Sequence, residues 1–505
     1  MSNAAAISDV RVGADYAAEY ADFSSRLSID RMPAETIAAA KANLFDTLAC
    51  ATAGISAGGV KDMTRLVVDW GGKPEASIWC TGERVPAHHA AWVNGMMAHA
   101  RDYDDTHDEA VLHAGVSVIP AAIAAAELNR EATGADLLAG ITVGLELICR
   151  LGMATSIGII ESGFMYTSLF GHFAATAAAA RVMGFDTDQT VNALGVAYSQ
   201  AAGTHQVTRD AALTKRMQPG FAAKTALISV ALTRIGIRGA QNTFEGVDGL
   251  FRTYLRGRYN PTVLREGLGK RFEFLNLSYK PYPCCRFDHT AIDGALQIRR
   301  ELGGEIAGIR KILAMVNKQA YEAVCTPVGM RKSPETIVQA QFSIPYTVAC
   351  ALVKGSVGLA DFTDAALRDP AVRALAAKVD ARVDEQIERD WSRNVSPTHL
   401  VVETDRGTFE ARVDYPRGHR QAPMSKEDFD RKMAGCLETS GMRWPLSQGD
   451  ARPAQRAGAR VGGGGAVAAG DRTSRDHVRR RPAMADAALR DVAFRVDARD
   501  GAGRR

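Results

Sequence analysis

The segment GADLLAGITVGLELICRLGMA, residues 134–154, has the pattern that decides the fold. Its apolar residues recur at intervals of three and four positions, which is the repeat of an α-helix with a buried face. The same repeat returns at residues 33–54 and 219–239, and Pro or Gly marks most of the segment ends. Residues 1–270 are therefore predicted to form a large all-helical domain.

Farther along the chain, the pattern changes to that of a mixed domain. Residues 272–280 and 309–318 are rich in β-favouring side chains, and a helical repeat at residues 289–302 lies between them. Residues 399–413 form two alternating runs around an Asp-Arg-Gly turn, which is the pattern of a β-hairpin. We expect residues 271–415 to form a smaller α+β domain, which makes the fold class mainly α.

Two further helices and a tail complete the organisation. Residues 333–355 predict one buried helix, with Ser333 as its N-cap and Pro334 in its first turn. Residues 424–446 predict an amphipathic helix that returns to the helical domain. Residues 447–505 hold 13 Arg, 7 Asp and a run of four Gly, so we expect a disordered tail. A basic arm for an anionic partner and an out-of-frame C-terminus are the alternatives.

Composition argues against several classes of function. The net charge of +4 comes from the tail, because the rest of the chain carries 48 basic and 50 acidic side chains, so we expect no nucleic-acid partner. The sequence has no run of about 18 apolar residues, so we expect no membrane span and no secretory leader. The eight cysteines have no metal-binding spacing, which is typical of a cytoplasmic protein with reduced thiols.

The segment HARDYDDTHDEAVLHAG, residues 99–115, carries five carboxylates and three histidines between two apolar helices. In an ordinary loop these groups would cap a helix and contact solvent. Burying so many ionisable groups is costly without a use, so this density indicates a functional site. Asp102, Asp105, His107 and His113 could also bind a metal, but their spacing matches no metal signature, and we predict no metal.

Two cationic segments offer partners for these carboxylates. In residues 212–226, Lys215 and Arg216 precede Pro219-Gly220, which we expect to open an alanine-rich helix. The pair is either a set of surface cations or a clamp for a carboxylate beside a helix N-terminus.

In residues 279–296, the side chains of Lys280, Arg286 and His289 crowd a proline-containing turn that enters a helix. His289 is a candidate acid or base, whereas the adjacent Cys284 and Cys285 are interpreted as packing residues.

Four segments, residues 93–127, 214–251, 280–296 and 333–352, carry a resemblance to a known family, with weaker likeness over about residues 20–440. They resemble the MmgE/PrpD family, which includes 2-methylcitrate dehydratase, cis-aconitate decarboxylase and iminodisuccinate epimerase. The resemblance implies a large helical domain, a smaller α+β lid domain and a site in the cleft between them. It also implies a homodimer, a small-molecule carboxylate substrate and no cofactor.

The resemblance also assigns the site. The catalytic residues it implies are Asp102, His113, Lys215 and His289, and it implies Thr106 and Tyr321 as substrate-binding residues. The cations Lys280 and Arg286 are expected to complete the substrate-binding set. In these roles the lysines and His113 hold carboxylates, Asp102 orients the cluster and His289 acts as acid or base.

Two positions depart from the family pattern. Met165 and Gln218 stand where the family often has histidines, and Met can neither transfer a proton nor bind a carboxylate. Decarboxylation therefore loses support, and we expect a hydro-lyase of the 2-methylcitrate dehydratase type. The alternatives are a decarboxylase or epimerase of a related acid, a metal-dependent hydrolase, and a non-catalytic carboxylate-binding protein.

Overall fold

A computed structural model of the chain describes residues 15–391 and 397–441. The first part is helical, as the periodicity predicts. Its helices are α1 (Tyr16–Arg26), α2 (Ala34–Gly54), α3 (Val60–Trp70), α4 (Ala87–His99), α5 (Gly115–Leu128), α6 (Gly134–Ala154), α7 (Ile159–Ser162), α8 (Tyr166–Val182), α9 (Thr187–Tyr198), α10 (Gln206–Arg209), α11 (Thr214–Arg234), α12 (Leu250–Leu255) and α13 (Pro261–Arg265).

The second part mixes helices with a four-stranded sheet. Its helices are α14 (His289–Glu301), α15 (Lys318–Ala320), α16 (Val328–Lys332), α17 (Ile337–Gln341), α18 (Ile344–Lys354), α19 (Pro370–Ala376), α20 (Glu385–Trp391) and α21 (Lys426–Ser440). The strands of the chain are β1 (Ala76–Ser77), β2 (Arg84–Val85), β3 (Thr106–His107), β4 (Leu277–Ser278), β5 (Ile309–Val316), β6 (Val379–Val383), β7 (Thr398–Thr404) and β8 (Gly407–Val413). The mainly α fold class is confirmed.

The four-stranded sheet has the order β6-β5-β7-β8, and only the β5–β6 pair is parallel. The predicted hairpin is confirmed, because Thr404 pairs with Gly407 across a two-residue turn. Residues 272–280, predicted to favour strand, instead form a 3₁₀ turn at Glu273–Asn276 followed by the two-residue strand β4. One face of the sheet is covered by α14, which contacts β7 and β8.

Helix α6 lies in the first hydrophobic core and packs along α8. Gly144 permits this contact, because a Cβ there would lie 2.9 Å from the Cβ of Ala178. Two charged side chains in the C-terminal half of α6 form an ion pair, in which Arg150 Nε donates to Glu146 at 2.6 Å. Among the described helices, α6 alone is long and apolar enough to cross a membrane, but nearly all of it is buried within the protein.

The hydrophobic side chains form two main cores. The first gathers residues from Tyr16 to Leu277, and the second gathers residues from Tyr282 to Ala411. The chain passes from the first core to the second between Leu277 and Tyr282, near the predicted boundary at residue 271. That this is a domain boundary stays a prediction. The predicted tail, residues 447–505, lies outside the described residues.

Two helix predictions are wrong in detail. The single helix expected over residues 333–355 is two helices, α17 and α18, because Thr336 and Ser343 each cap a new start. Ser333 therefore is not an N-cap. Pro219 does not open α11 but lies inside it, five residues after the first helical residue, Thr214.

The expected return helix is present as α21, with a capping box formed by Ser425 and Asp428. It packs on α2 through a buried ion pair, in which Lys432 Nζ lies 2.6 Å from Asp46 Oδ1. The same ammonium donates to the carbonyl of Tyr103 at 2.7 Å. This helix therefore holds both the first part of the chain and the loop that follows α4.

The Lys432→Met variant should lose about 3–5 kcal/mol of unfolding free energy, because Asp46 would remain buried without its partner. The Asp46→Leu/Lys432→Met double variant should regain much of that loss. Urea unfolding of the three proteins checks this. The control Lys426→Met, on the exposed face of the same helix, should leave stability unchanged. A Lys432→Met protein as stable as wild type would contradict the role of the pair.

Candidate functional site

The loop between α4 and α5 is held on the second part of the chain by a short pairing. Strand β3 within it is antiparallel to β4, with Thr106 opposite Ser278. The backbone of Asp102 is left-handed, with φ of 52°, a conformation that Asp tolerates better than most residues. The loop is therefore shaped at Asp102 and fixed at Thr106.

Asp102 joins two buried lysines from distant parts of the chain. Its Oδ1 lies 2.5 Å from Lys280 Nζ, and its Oδ2 accepts from Lys215 Nζ. Burial alone would raise the pKa of Asp102, but the two ammonium groups hold it well below its ordinary value. Lys215 lies in the first turn of α11, where the helix dipole also favours an anion.

Asp104 lies between two imidazoles. Its carboxylate contacts His99 Nδ1 at 3.0 Å and His113 Nδ1 at 2.8 Å, and it is fully buried. Burial lowers the pKa of His99 to about 4, despite the nearby carboxylate. Ligand atoms of the three residues lie within 4.8 Å of one another, so this group could also hold a metal ion.

The four residues considered above as metal ligands do not converge. Asp105 accepts from the backbone N–H groups of Ala114 and Gly115 at 3.0 Å, at the start of α5. Burial raises the pKa of Asp105 to about 6. His107 accepts from the N–H of Ala110 through Nδ1, and its Nε2 lies 3.3 Å from the carbonyl of Glu273. Asp105 and His107 therefore stabilise the loop through hydrogen bonds to backbone groups and do not form a shared metal site with Asp102 and His113.

Arg286 and Thr106 both contact Asp108. The guanidinium donates to both carboxylate oxygens at 3.0 Å, and the Thr106 hydroxyl donates at 3.2 Å. Ser278 donates to the same carboxylate at 2.5 Å. These bonds join the loop to the second part of the chain. Because they engage the side chains of Arg286 and Thr106, binding of substrate by these two residues stays a prediction.

His289 lies deeper than expected for an acid or base. Its Nδ1 accepts from Arg286 at 3.2 Å, and its Nε2 lies 3.4 Å from the carbonyl of Cys284. Burial, with the cations nearby, holds its pKa well below the ordinary value. Burial also raises the pKa of Cys285 to about 12, so this thiol stays protonated. Tyr321 starts a π-helical turn against the second core.

Asp102, Lys215 and Lys280 are called the lysine cluster below. A small cavity beside it is lined by His99, Asp102, Lys215, Arg216, Val338 and Gln341. Its volume is about 10 Å³, which holds no more than a water molecule. Gln341 closes it by donating to the carbonyl of Arg101 at 2.7 Å, and the Phe342 ring lies 4.8 Å from Lys215 Nζ. A ligand larger than water would fit here only if α17 moved away from the loop.

One histidine near the cluster was missed by the sequence analysis. His205 follows Thr204, which pairs with Phe164 next to Met165 and accepts from Gln218 Nε2 at 3.0 Å. The two positions that lack family histidines thus border the segment that carries His205. Burial and the cations Arg209 and Lys215 lower the pKa of His205 to about 4. No sequence motif marks this residue, because its relation to Met165 arises from the fold.

The arrangement offers groups suited to anion binding and to proton transfer. Lys215, Lys280 and the buried Arg216 carry three positive charges against the single charge of Asp102. The surplus matches two carboxylates of a small acid. Neutral imidazole nearby supplies a base for a proton next to a carboxylate.

The Asp102→Asn variant should lose about 3–5 kcal/mol of unfolding free energy, because two buried ammonium groups would face each other unpaired. Sulfate should stabilise this variant more than wild type by replacing the lost anion. Thermal unfolding with and without sulfate checks this. Asp361→Asn, beside the partly exposed Lys354, is the control for the general effect of sulfate. Equal stabilisation of all three proteins would refute anion binding by the lysines.

Comparison with known proteins identifies the family of the chain. The MmgE/PrpD N-terminal domain model matches residues 18–262, and the MmgE/PrpD C-terminal domain model matches residues 282–443. The chain is 27% identical to the cis-aconitate decarboxylase-like protein oryM of Aspergillus oryzae, over 82% of the chain and 89% of that protein. It is 27% identical to the cis-aconitate decarboxylase of Homo sapiens, over 71% and 74%. It is 24% identical to the 2-methylcitrate dehydratase of Cupriavidus necator, over 52% and 56%. With both domain models matched in order, the chain belongs to the MmgE/PrpD family.

Proposed function

We propose that the protein is a cofactor-independent lyase of a small di- or tricarboxylic acid, and that its first candidate reaction is the loss of water from a hydroxy acid. The observation that carries this proposal is the convergence of Lys215 and Lys280 on Asp102, beside a closed cavity bordered by imidazole. Such a site suits an acid that carries several carboxylates.

Substrate binding begins with an exchange of anions. Carboxylates of the substrate replace Asp102 as partners of the two lysines, and Arg216 contributes a third cation to the same cavity. Asp102 then orients the ammonium groups from one side. Closure of α17 over the substrate excludes water, which strengthens every charge interaction within the cavity.

Elimination of water then needs one base and one acid. His205 is neutral near pH 7 and takes the proton from the carbon next to a carboxylate. The electron pair of that C–H bond forms the new C=C bond, and the C–O bond breaks. His113, whose Nδ1 lies 2.8 Å from Asp104, donates a proton to the departing hydroxyl, which leaves as water.

Decarboxylation is the second candidate, and the extent of similarity favours it. The decarboxylase-like relative from Aspergillus oryzae aligns with 82% of this chain, whereas the dehydratase from Cupriavidus necator aligns with 52%. In this reaction a C–C bond breaks to release carbon dioxide, and the electron pair is protonated by His113. His205 would then assist in place of the histidines absent at Met165 and Gln218.

Proton NMR of the purified protein with 2-methylcitrate, citrate, cis-aconitate, malate analogues and iminodisuccinate separates the candidates. An unsaturated product formed with loss of water supports the hydro-lyase, and release of carbon dioxide supports the decarboxylase. Loss of activity on addition of chelator would assign a metal to His99, Asp104 and His113 and overturn cofactor independence. Binding without turnover of any acid would overturn the enzymatic proposal.

Lys215→Met should lower kcat/KM at least about 100-fold on the accepted substrate, because the carboxylate loses a charged partner. Lys224→Met on the same helix is the matched control and should keep normal turnover, since Lys224 contacts the Trp92 ring rather than the cluster. Steady-state kinetics of the two variants checks this. Equal kinetics of Lys215→Met and wild type would remove Lys215 from the site.

His205→Gln should lower kcat about 100-fold and leave KM nearly unchanged, as expected for loss of a base that does not anchor the substrate. His399→Gln, at a partly exposed position of β7 where the imidazole contacts Glu410, serves as the control. A rise in KM at unchanged kcat would instead give His205 a binding role, and normal kinetics would exclude it from the reaction.

A further inference from the structure

A second and much larger cavity lies outside the lysine cluster. Its volume is about 630 Å³, and its walls include Arg299, Arg300, Arg417, Arg431, Tyr282 and Ser356. Cavities that bind small organic molecules have volumes of about 300–1,000 Å³. No role in the proposed lyase reaction uses this space.

The four arginines are only partly neutralised. Arg417 and Arg431 share Asp428, at 3.4 and 3.0 Å. Arg299 donates to the carbonyl of Leu352 and forms no ion pair among the described residues. The Arg300 side chain, exposed on the last turn of α14, forms no hydrogen bond or ion pair within the described part of the chain.

One buried polar atom at this cavity lacks a partner. The Nε of Arg417 is buried and has no hydrogen-bond acceptor among residues 15–391 and 397–441. A second carboxylate near Arg417 is that of Asp293. It accepts from the Tyr282 hydroxyl at 2.6 Å and from the backbone N–H of Arg417 at 2.8 Å. The cavity therefore keeps a surplus of two positive charges after Asp293 and Asp428 are counted.

We propose that this cavity is a binding site for an organic phosphate. Guanidinium groups bind phosphate oxygens in pairs, and four of them from three separate segments meet here. Leu296, Val357 and the ring of Tyr282 line the same cavity and provide apolar surface for the carbon part of the ligand. The mixture of charge and apolar wall fits an organic phosphate better than an inorganic ion.

The cavity lies next to residues that contact the lysine cluster. Tyr282 lines the cavity two residues after Lys280, and its ring lies 5.1 Å from that of His289. The carbonyl of Arg417 accepts from Arg286 at 2.9 Å. A ligand that orders Arg417 and Tyr282 therefore contacts the segment that carries Lys280, one of the two lysines paired with Asp102.

Isothermal titration of the full chain with inorganic pyrophosphate, as the probe of the anion-binding part, tests the site at low ionic strength. Wild type should bind one pyrophosphate per chain, and Arg300→Gln/Arg431→Gln should bind it at least about tenfold more weakly. The matched control Arg65→Gln removes an equally exposed helical arginine and should bind normally. Lyase turnover should be unchanged in the double variant, so failure here is separable from failure of the proposed function.

Four results would overturn the proposal. Wild type gives no binding heat with pyrophosphate, or the double variant binds as tightly as wild type. Alternatively, Lys215→Met abolishes binding, which would place the anion at the lysine cluster. Tighter binding of citrate than of pyrophosphate to the arginines would replace phosphate by a polycarboxylate and refute the chemical class proposed.

Discussion

The ion triad of Asp102, Lys215 and Lys280 is the interaction on which the rest of the site depends. Two ammonium groups removed from water would repel each other and remain poorly solvated, so a carboxylate must lie between them. The lysines come from α11 and from the start of the second part of the chain. One side chain of the loop thus couples the helical part to the mixed part, and any ligand of the lysines competes with that coupling.

The acidic density of the loop is explained by a separate task for each of four carboxylates. Asp102 balances the lysines, Asp104 holds His99 and His113, Asp105 binds the first N–H groups of α5, and Asp108 binds Arg286. No two of them share a main partner. Each is buried and each is satisfied by a different chemical group, which is how so many carboxylates persist inside a helical protein.

Much of this could be predicted from the sequence, and the failures have physical causes. The helices and the hairpin follow from periodicity and turn residues, which are local properties. The break before α18 was missed because Ser343 resembles a core position until its capping bond to the Tyr346 N–H is known. The clustering of charged residues was predicted. The pairing of Arg286 with Asp108 was not, because these residues lie 178 positions apart in the sequence and only the fold brings them together. His205 was missed for the same reason.

The closed cavity under α17 has a kinetic consequence. Because Gln341 and Phe342 cover Lys215, the proposed substrate would need the same opening movement to enter and to leave. Association is then slower than diffusional encounter, and residence time is set by how often α17 lifts rather than by the strength of the charged contacts alone. A tightly held product and a rarely opening lid would limit the rate in the same way, so a dependence of turnover on solvent viscosity is expected if α17 is the lid.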